Sequence, residues 1–381
     1  MKTKQDVIMR QWLAEPLPKS VEQALERLGR TEDVCRIAVM PDVHLADDVC
    51  IGTVMATTHM IYPDAVGGDI GCGMAAVRFD TEAALLSDEW TAAKVLHGLI
   101  RTIPSIRHGA ATAVYRLPEH LRDVPLSDQC LEKLKQRDAR VQLGTLGRGN
   151  HFLEFQVDEE GALWLMVHSG SRMIGQAIRD HHLRAATRSS TGFWYLESDK
   201  QSGEAYLRDV IWALQYAEEN RQAMIRSAVC LMEDLFSVTA DWSSVFSCHH
   251  NHVRREIHCG SQWWVHRKGA IWAGAGVKGI IPGSMGTASY HVEGRGHEGS
   301  LQSSSHGAGR LLSRRDAHRI IRIDQLKREM KGVWFDQRRL SRLCDEAPSA
   351  YKDIACVMRA QSELTKILRI VRPVLNYKAM S

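Results

Sequence analysis

The chain has 381 residues, of which 44% are hydrophobic and 25% charged, a composition typical of a soluble globular protein with a sizeable core. We expect no transmembrane helix and no signal peptide, because apolar runs of the required kind are missing, so the sequence predicts a cytoplasmic protein. The nine cysteines include no CxxC pair, which favours reduced thiols. An important cysteine is therefore expected to be a metal ligand or a nucleophile.

Positive charge is concentrated in the C-terminal part of the chain. The net charge is +4, but from Arg310 onward 17 Lys and Arg stand against eight Asp and Glu. A local excess of this kind is typical of a surface that binds a polyanion, although a set of solvated helix faces gives the same pattern.

In chain order, short β-type runs are mixed irregularly with helical patterns. Amphipathic periodicity predicts helices over 18–29, 83–101, 119–138, 172–188, 203–236, 314–331 and 350–369. Strands are predicted over 34–40, 163–168, 244–250 and 262–266. Because no regular βαβ alternation is present, we predict an α+β fold. No linker-like boundary interrupts the chain, so we expect one integrated domain over 1–381, with a basic helical part from about 310 to 381.

Glycines surround an acid and a thiol in the segment Pro63–Met74, which reads PDAVGGDIGCGM. Glycine lets the backbone approach a ligand closely, so Asp69 and Cys72 can be directed at one point. A thiolate with a carboxylate suits a divalent transition metal such as Mn²⁺ or Zn²⁺. A tight glycine turn around a buried cysteine is the alternative. Upstream, MPDVHL at 40–45 offers a further acid and His44, and we interpret it as a structured loop.

Histidines follow or end several predicted strands. Their segments are LGTLGRGNHFLEF (143–155), VHSGSR (167–172) and CHHNH (248–252). A lone histidine at such a place is most often a core residue. Three strand-end sites together with Asp69 and Cys72 favour a metal centre instead. The small polar residues after His168 also suit an anion at the start of a helix.

The segment Arg267–Arg310 is dense in glycine, serine and basic residues. Its two GxGxxG matches, at 274–279 and 294–299, do not open the helix that a dinucleotide-binding fold requires, because a proline or a serine-rich stretch follows. We expect instead a wall of backbone N–H groups that can hold phosphates. His306, within SSSHGAGR, has room for a covalent adduct, with a role in capping the next helix as the alternative.

In order and spacing these motifs closely resemble those of the RtcB family of RNA ligases: MPDVHL, AVGGDIGCGM, LGTLGRGNHFLE, VHSGSR, CHHN, RKGA, GIIPGSMGTASY and SSSHGAGR. The resemblance extends from about residue 36 to Lys378. It implies an enzyme that joins an RNA 2′,3′-cyclic phosphate or 3′-phosphate end to a 5′-hydroxyl end, using GTP and two Mn²⁺ ions. It also implies mixed sheets arranged around a dinuclear metal centre.

The resemblance implies a role for five metal ligands. The thiolate of Cys72 would bridge the two ions. Asp69 and His151 would complete one ion, and His168 with His250 the other.

The resemblance also assigns the nucleotide site. His306 matches the histidine that becomes guanylylated in the family. Glu154 is expected to accept hydrogen bonds from the guanine edge, which would select GTP over ATP. Guanine and phosphate contacts are implied for Asn150, His151, Phe152, Leu153, Glu154, His250, Asn251, Pro282, Gly283, Ser284, Met285, Ser289, His306, Gly307, Ala308, Gly309 and Lys378.

Departures from the family pattern occur at Asp47, Asp48, Gly68 and Met173, and they predict a divergent branch that serves RNA repair rather than tRNA splicing. The expected partners are RNA carrying the ends named above and an archease-like activator. A metal-dependent phosphoesterase that acts on RNA 3′-ends without guanylylation is the main alternative, and a non-catalytic RNA-binding relative is the other.

Overall fold

A computed structural model describes residues 7–46, 48–109 and 116–378 of the chain. Asp47, one of the departures named above, lies outside these ranges. Within them, every helix is too short or too polar to cross a membrane.

Helices and strands are distributed over the whole chain. The helices are α1 (Lys19–Gly29), α2 (Glu89–Thr102), α3 (Glu119–Arg122), α4 (Gln129–Leu134), α5 (Arg140–Gln142), α6 (Arg172–Leu183), α7 (Gln201–Phe236), α8 (Arg314–Ile320), α9 (Ile323–Glu329), α10 (Leu340–Leu343) and α11 (Ile354–Ala360). Short 3₁₀ turns cover Pro63–Ala65, Ala83–Leu86, Glu298–Ser300, Gln337–Arg339, Cys344–Glu346 and Pro348–Ala350, and a π turn covers Lys135–Ala139. The strands are β1 (Ile8–Gln11), β2 (Val34–His44), β3 (Ile51–Thr57), β4 (Met60–Ile61), β5 (Gly73–Glu82), β6 (Phe152–Val157), β7 (Ala162–Ser169), β8 (Thr187–Arg188), β9 (Trp194–Glu197), β10 (Ala240–His249), β11 (Asn251–His258), β12 (Ser261–Lys268), β13 (Ala270–Trp272), β14 (Lys278–Ile281), β15 (Ser289–Gly294), β16 (Ser303–Ser305), β17 (Trp334–Phe335) and β18 (Thr365–Lys378).

The larger sheet has the strand order β10-β5-β7-β6-β18-β15-β14, with β17 beside β18. Its long strands pair antiparallel, and the sheet curls until β10 and β14 come into contact. In its register, His168 lies opposite both Met74 and Phe152, and Lys378 also lies opposite Phe152. The beginnings of β5 and β6 therefore lie beside the ends of β7, β10 and β18.

A smaller sheet has the strand order β1-β2-β3-β12-β11. The short pair β13 and β16 connects the two sheets, because β16 contacts β2 while β13 contacts β10. A separate group of strands has the order β4-β9-β8. The loop after β16 thus emerges between the end of β2 and the strand ends of the larger sheet.

Helices α2 and α7 pack against one face of the larger sheet. Phe79 and Phe155 are fully buried there, with ring centroids 5.7 Å apart. Val95 of α2 and Met224 and Val229 of α7 belong to the same cluster. Burial of apolar surface stabilises by roughly 25 cal/mol per Å², so this layer stabilises the strands whose ends carry the histidines.

The α+β class predicted from the sequence is confirmed, whereas the prediction of one integrated domain stays a prediction. Strands form at all four predicted places, and helices form over 18–29, 83–101, 172–188 and 203–236 with bounds shifted by a few residues.

Two other predicted helices are each divided. Over 119–138, Pro125 interrupts the helical path, and α4 begins anew after Asp128, whose side chain caps it. Over 314–331, Ile321 takes an extended conformation with ψ of 122°, which separates α8 from α9.

The predicted helix over 350–369 is wrong in its second half, and the C-terminal part is not helical throughout. Helix α11 ends at Ala360, and strand β18 begins at Thr365. β-Branched residues such as Ile367 and Val371 favour an extended backbone, and β6 and β15 pair with this segment on both sides. Tertiary pairing therefore overrides the local helical pattern.

Candidate active site

The predicted metal ligands meet at one edge of the larger sheet. Cys72 and His151 directly precede β5 and β6, His250 directly follows β10, and His168 is the penultimate residue of β7. Because neighbouring strands are antiparallel, the start of one strand lies beside the end of the next, at the same edge of the sheet. Asp69 reaches the same point from the glycine-rich turn before β5.

Short distances join these side chains. The Sγ atom of Cys72 lies 3.2 Å from Nε2 of His168 and 3.4 Å from Nε2 of His151. Oδ2 of Asp69 lies 2.8 Å from Nε2 of His151. Two groups result, Cys72 with His168 and His250, and Asp69 with Cys72 and His151, and the donor atoms within each group lie within 4.8 Å of one another.

The chemistry of this donor set fits divalent transition metals. Burial lowers the pKa values of His168 and His250 well below the usual 6.5, so both rings are neutral and keep a lone pair for coordination. The Nδ1–H of His168 donates to the carbonyl of Asn150 at 3.2 Å, which directs Nε2 toward Cys72. Burial, with Asp69 nearby, raises the pKa of the Cys72 thiol, so a thiolate at this place needs a cation beside it.

Buried polar atoms without a hydrogen-bond partner also favour a metal site here. Among the described residues they include Oδ1 of Asp69, Nδ1 of His151 and Nδ1 of His250, all buried. Leaving such a group unsatisfied costs about 1–3 kcal/mol, which coordination or a bound ligand would offset.

His306 lies beside this centre, on the loop that follows β16. Its ring centroid is 4.8 Å from that of His250. The Nδ1–H of His306 donates to Oδ2 of Asp42 at 2.6 Å, and the backbone N–H groups of His306 and Gly307 donate to the same oxygen at 3.1 and 3.3 Å. Asp42 is fully buried, so it holds the ring in one tautomer and leaves Nε2 with a free lone pair.

The interpretation of MPDVHL as a structured loop is wrong. Strand β2 extends through this segment to His44, and it carries Asp42 to the histidine. The signal was present as an acid inside an apolar β run, but its partner lies 264 residues away in the sequence.

A cavity of about 300 Å³ opens beside His306, a size common for small-molecule sites. Most of the residues predicted to contact the nucleotide line it: Asn150, Phe152, Glu154, His250, Pro282, Gly283, Ser284, Met285, Ser289, His306, Gly307, Ala308, Gly309 and Lys378.

Three predicted contacts do not lie on the cavity wall. Leu153 points to the opposite face of β6 and packs in the core with Phe155, because side chains alternate along a strand. His151 faces Asp69 instead. Asn251 holds the backbone around the site, donating to Asp69 O and accepting from Gly269 N.

The anion site predicted after His168 stays a prediction, and two of its side chains make contacts within the protein. Ser169 Oγ donates to the carbonyl of Leu146, and Nε of Arg172 donates to Oγ1 of Thr145. These groups fix the loop before β6 rather than facing open space.

Glu154 is a buried carboxyl group on the cavity wall. Its two carboxylate oxygens accept hydrogen bonds from Nε2 of Gln156 at 2.7 Å and Nδ2 of Asn376 at 2.6 Å. Burial raises the pKa of Glu154 to about 8, although these bonds favour the charged form. Sequence reasoning missed Asn376, because it lies on β18 and reaches Glu154 only through strand pairing.

A buried ion network holds Lys378 at the cavity. Its Nζ lies 2.7 Å from Oε2 of Glu346 and donates to the carbonyl of Asn150 at 2.9 Å. Nη1 of Arg314 donates to Glu346 at 2.7 Å, and the hydroxyl of Tyr351 donates at 2.7 Å. Against the effect of burial, Lys378 and Arg314 lower the pKa of Glu346 to about 2. Apart from Lys378, this network was also missed in the sequence.

Together, the fold and the site define an enzyme with a candidate metal centre and an adjoining nucleotide-sized cavity. The family model described as "tRNA-splicing ligase RtcB" matches residues 25–128 and 121–379. The chain belongs to the RtcB family, which confirms the resemblance found in its sequence.

Curated relatives support this membership over most of the chain. The chain is 37% identical over 372 residues to "RNA-splicing ligase RtcB1" of Escherichia coli strain ATCC 25922, covering 90% of each protein. Identity to "RNA-splicing ligase RtcB" of Escherichia coli K12 is also 37%, with the same coverage. With "tRNA-splicing ligase RtcB" of Thermococcus kodakarensis it is 31% over 420 residues, covering 88% of this chain and 86% of the relative.

Proposed function

We propose that this chain is an RNA ligase that uses GTP and Mn²⁺ to join 2′,3′-cyclic phosphate or 3′-phosphate ends to 5′-hydroxyl ends, in RNA repair or tRNA splicing. Family membership supports the RNA ligase activity. The observation that carries the covalent mechanism is the contact between His306 and the buried Asp42 at the cavity wall. A cytoplasmic location and an archease-like activator stay predictions.

In the first step, Nε2 of His306 attacks the α-phosphorus of GTP. A nitrogen–phosphorus bond forms as the bond to the bridging oxygen breaks, and pyrophosphate leaves. Asp42 keeps Nδ1 protonated and offsets the positive charge that develops on the ring, so that the lone pair of Nε2 is the one presented to the phosphate.

In the following steps, an oxygen of the RNA 3′-phosphate attacks the same phosphorus, and His306 is released. The RNA then carries a 3′-end activated by GMP. The 5′-hydroxyl of the second RNA attacks the RNA phosphorus, loses its proton, and displaces GMP. A cyclic phosphate is first opened by water to give the 3′-phosphate.

Ions held by Cys72, Asp69 and the three neighbouring histidines would supply Lewis-acid stabilisation of charge on phosphate oxygens. The strand ends that carry His151, His168 and His250, and the turn that carries Asp69, already bring the donor atoms of each group within 4.8 Å of one another, so little reorganisation would be needed on binding.

Glu154 is suited to select guanine. Its ionised carboxylate can accept from N1–H and the 2-amino group, whereas adenine offers no donor pair at this edge. Gln156 and Asn376 fix the orientation of the carboxylate, because each donates a hydrogen bond to one of its oxygens. Lys378, whose Nζ lies 5.1 Å from the centroid of the Phe152 ring, adds positive charge beside the same wall.

The test uses one RNA ending in a 2′,3′-cyclic phosphate and another beginning with a 5′-hydroxyl, incubated with purified protein, GTP and Mn²⁺. We expect a joined RNA that disappears without GTP, after chelation of the metal, and in His306→Ala. His120→Ala, which removes an exposed histidine, is the matched control and should ligate normally.

A phosphoesterase would give a different result. Wild-type protein would open the cyclic phosphate or release phosphate without joining strands, and His306→Ala would keep that activity. This outcome would overturn the ligase proposal in favour of the alternative.

A further inference from the structure

Helices α8 and α9 carry a cationic surface next to the cavity, which we call the α8–α9 surface. It consists of Arg315 and Arg319 on α8, Arg322 between the two helices, Lys327 and Arg328 on α9, and Lys331 just after α9, all exposed. We infer that this surface binds the sugar-phosphate backbone of the RNA strand whose end lies in the cavity. The inference rests on the proposed function, because it presupposes that RNA is the substrate.

Positive charge predominates on the α8–α9 surface, and most of these cations make no ion pair. Residues 314–331 contain seven Lys and Arg against three Asp and Glu. Among the cations of the α8–α9 surface, Arg319 pairs with Asp316 at 3.0 Å. In the part of the chain that the structure describes, the other five make no ion pair. Cations that the fold does not neutralise are available for phosphates.

The two helices direct their cations away from the protein. Ala317 is buried, and Arg315 and Arg319 stand two residues to either side of it, on the opposite face of α8. In α9, Leu326 is buried and Arg328 stands two residues further along. The inward residues belong to one hydrophobic cluster, which also contains Met285 of the cavity wall.

The surface is continuous with the cavity. Arg314 is the first residue of α8, and both Arg314 and Arg310 line the cavity. A strand that enters the cavity at its 3′-phosphate would therefore pass over α8 as it leaves. Because the RNA 3′-phosphate must reach His306 at the cavity wall in the proposed reaction, this continuity favours RNA over an acidic protein as the occupant.

Apolar side chains lie among the cations. Ile320 is 53% exposed and Ile323 is 40% exposed, at the junction between α8 and α9. An RNA single strand offers phosphates for the cations and sugar and base surfaces for the isoleucines.

The test compares two triple variants of the full-length protein. Arg315→Ala, Arg322→Ala and Arg328→Ala remove three cations of the α8–α9 surface. Arg101→Ala, Lys133→Ala and Arg208→Ala form the matched control, because they remove three exposed and unpaired cations elsewhere in the described residues. The net charge changes equally in both.

Three quantities are measured for each variant and for wild type: Kd for a single-stranded RNA with a 3′-phosphate, the slope of log affinity against log salt, and GMP incorporation with GTP alone. For the α8–α9 variant we expect Kd to rise about tenfold or more at 0.1 M salt, and the slope to fall by about 2, since each lost contact to single-stranded RNA removes about 0.7. GMP incorporation should remain as in wild type, because no RNA takes part in it.

An equal loss of RNA affinity in both variants would overturn the inference, since it would show a general effect of charge. Unchanged affinity and slope in the α8–α9 variant would also overturn it, and would leave this surface to a partner of another class. Failure of wild-type protein to incorporate GMP or to ligate would instead contradict the proposed function, and the RNA affinities would still show where RNA binds.

Discussion

His306 and Asp42 form the contact on which the proposed chemistry depends most. Asp42 accepts three hydrogen bonds through one oxygen, two from backbone N–H groups and one from the His306 ring. The carboxylate thereby fixes the backbone and the ring together. In enzymes that use a histidine held by a carboxylate, replacement of the carboxylate by an amide costs up to about 10⁴ in rate.

We therefore expect Asp42→Asn to slow GMP incorporation by about 10² to 10⁴, because an amide would favour the wrong tautomer of His306. Single-turnover incorporation of labelled GMP measures the rate. Asp209→Asn is the matched control, since Asp209 is also buried and makes a contact of 2.7 Å with His182, a residue that does not line the cavity. An equal effect of the two substitutions would contradict a specific role for Asp42.

The raised pKa of Glu154 predicts that the proposed binding of GTP depends on pH. With a pKa raised to about 8 by burial, the free carboxyl is largely protonated at pH 7 and must lose its proton before it accepts from guanine. We expect the affinity for GTP to increase as the pH rises from 6 to 8, and to level off above that. Nucleotide titrations at several pH values measure this effect.

Glu154→Gln is the control for that experiment. A neutral amide cannot titrate, so its GTP affinity should be weaker at pH 8 and independent of pH, and its preference for GTP over ATP should fall by roughly 10² or more. A wild-type affinity that does not change between pH 6 and 8 would contradict the assignment of Glu154 to the guanine edge.

Among individual residues, the sequence predicted those that belong to compact motifs. Cys72 lies between two glycines, His168 ends an apolar run, and His151 follows a glycine-containing loop, and the structure brings the three together. Asn376 and Glu346 could not be found in this way. Their roles arise from partners more than thirty residues away, joined by strand pairing and by a buried ion network.

Among the secondary-structure elements, the strand that carries Asp42 and the loop that carries His306 are connected by Lys352. Its Nζ donates to the carbonyls of Pro41 and Val43 at 3.2 and 2.9 Å, on both sides of Asp42. Its backbone N–H donates to the carbonyl of Gly309 at 3.0 Å. The side chain and the backbone of this one residue therefore set the end of β2 relative to the glycine loop.

We expect Lys352→Met to slow GMP incorporation by about ten- to a hundredfold with little change in KM for GTP, because a displacement of about 1 Å at a reacting pair has an effect of that size. Kinetics over a range of GTP concentrations separate the two parameters. Lys352→Arg keeps the charge and should recover part of the rate. A rise in KM alone would contradict a positioning role.

Strand β18 shows why some elements escaped sequence-based prediction. The run from Thr365 to Lys378 carries scattered cations that suit an exposed helix, yet it lies between β6 and β15. Helices such as α1 and α7 were predicted correctly, since their apolar residues repeat at three and four positions along one face. A strand buried by distant neighbours gives no comparable local signal.

Buried, ionised carboxylates contribute to the stability of the whole molecule. Against the effect of burial, Arg267 lowers the pKa of Glu256 to about 2, and Lys378 lowers that of Glu346 to about 2. Their ordinary value is 4.5. A group with a lowered pKa contributes stability that is present above the ordinary value and lost as the pH falls toward the folded-state value.

We therefore expect the free energy of unfolding to decrease between pH 4.5 and 2, as Glu256 and Glu346 take up protons. Glu346→Gln should be less stable than wild type at pH 7, and this difference should shrink as the pH falls through that window. Denaturant unfolding at a series of pH values measures both. A difference that stays constant with pH would contradict the role of the ionised carboxylate.

Attachment of GMP to His306 distinguishes the proposed covalent mechanism, and mass spectrometry of protein incubated with GTP and Mn²⁺ in the absence of RNA detects it. We expect one added GMP per chain, located on the peptide that contains His306 and absent from His306→Ala. Protein that carries no GMP, or carries it on another residue, would contradict the covalent mechanism.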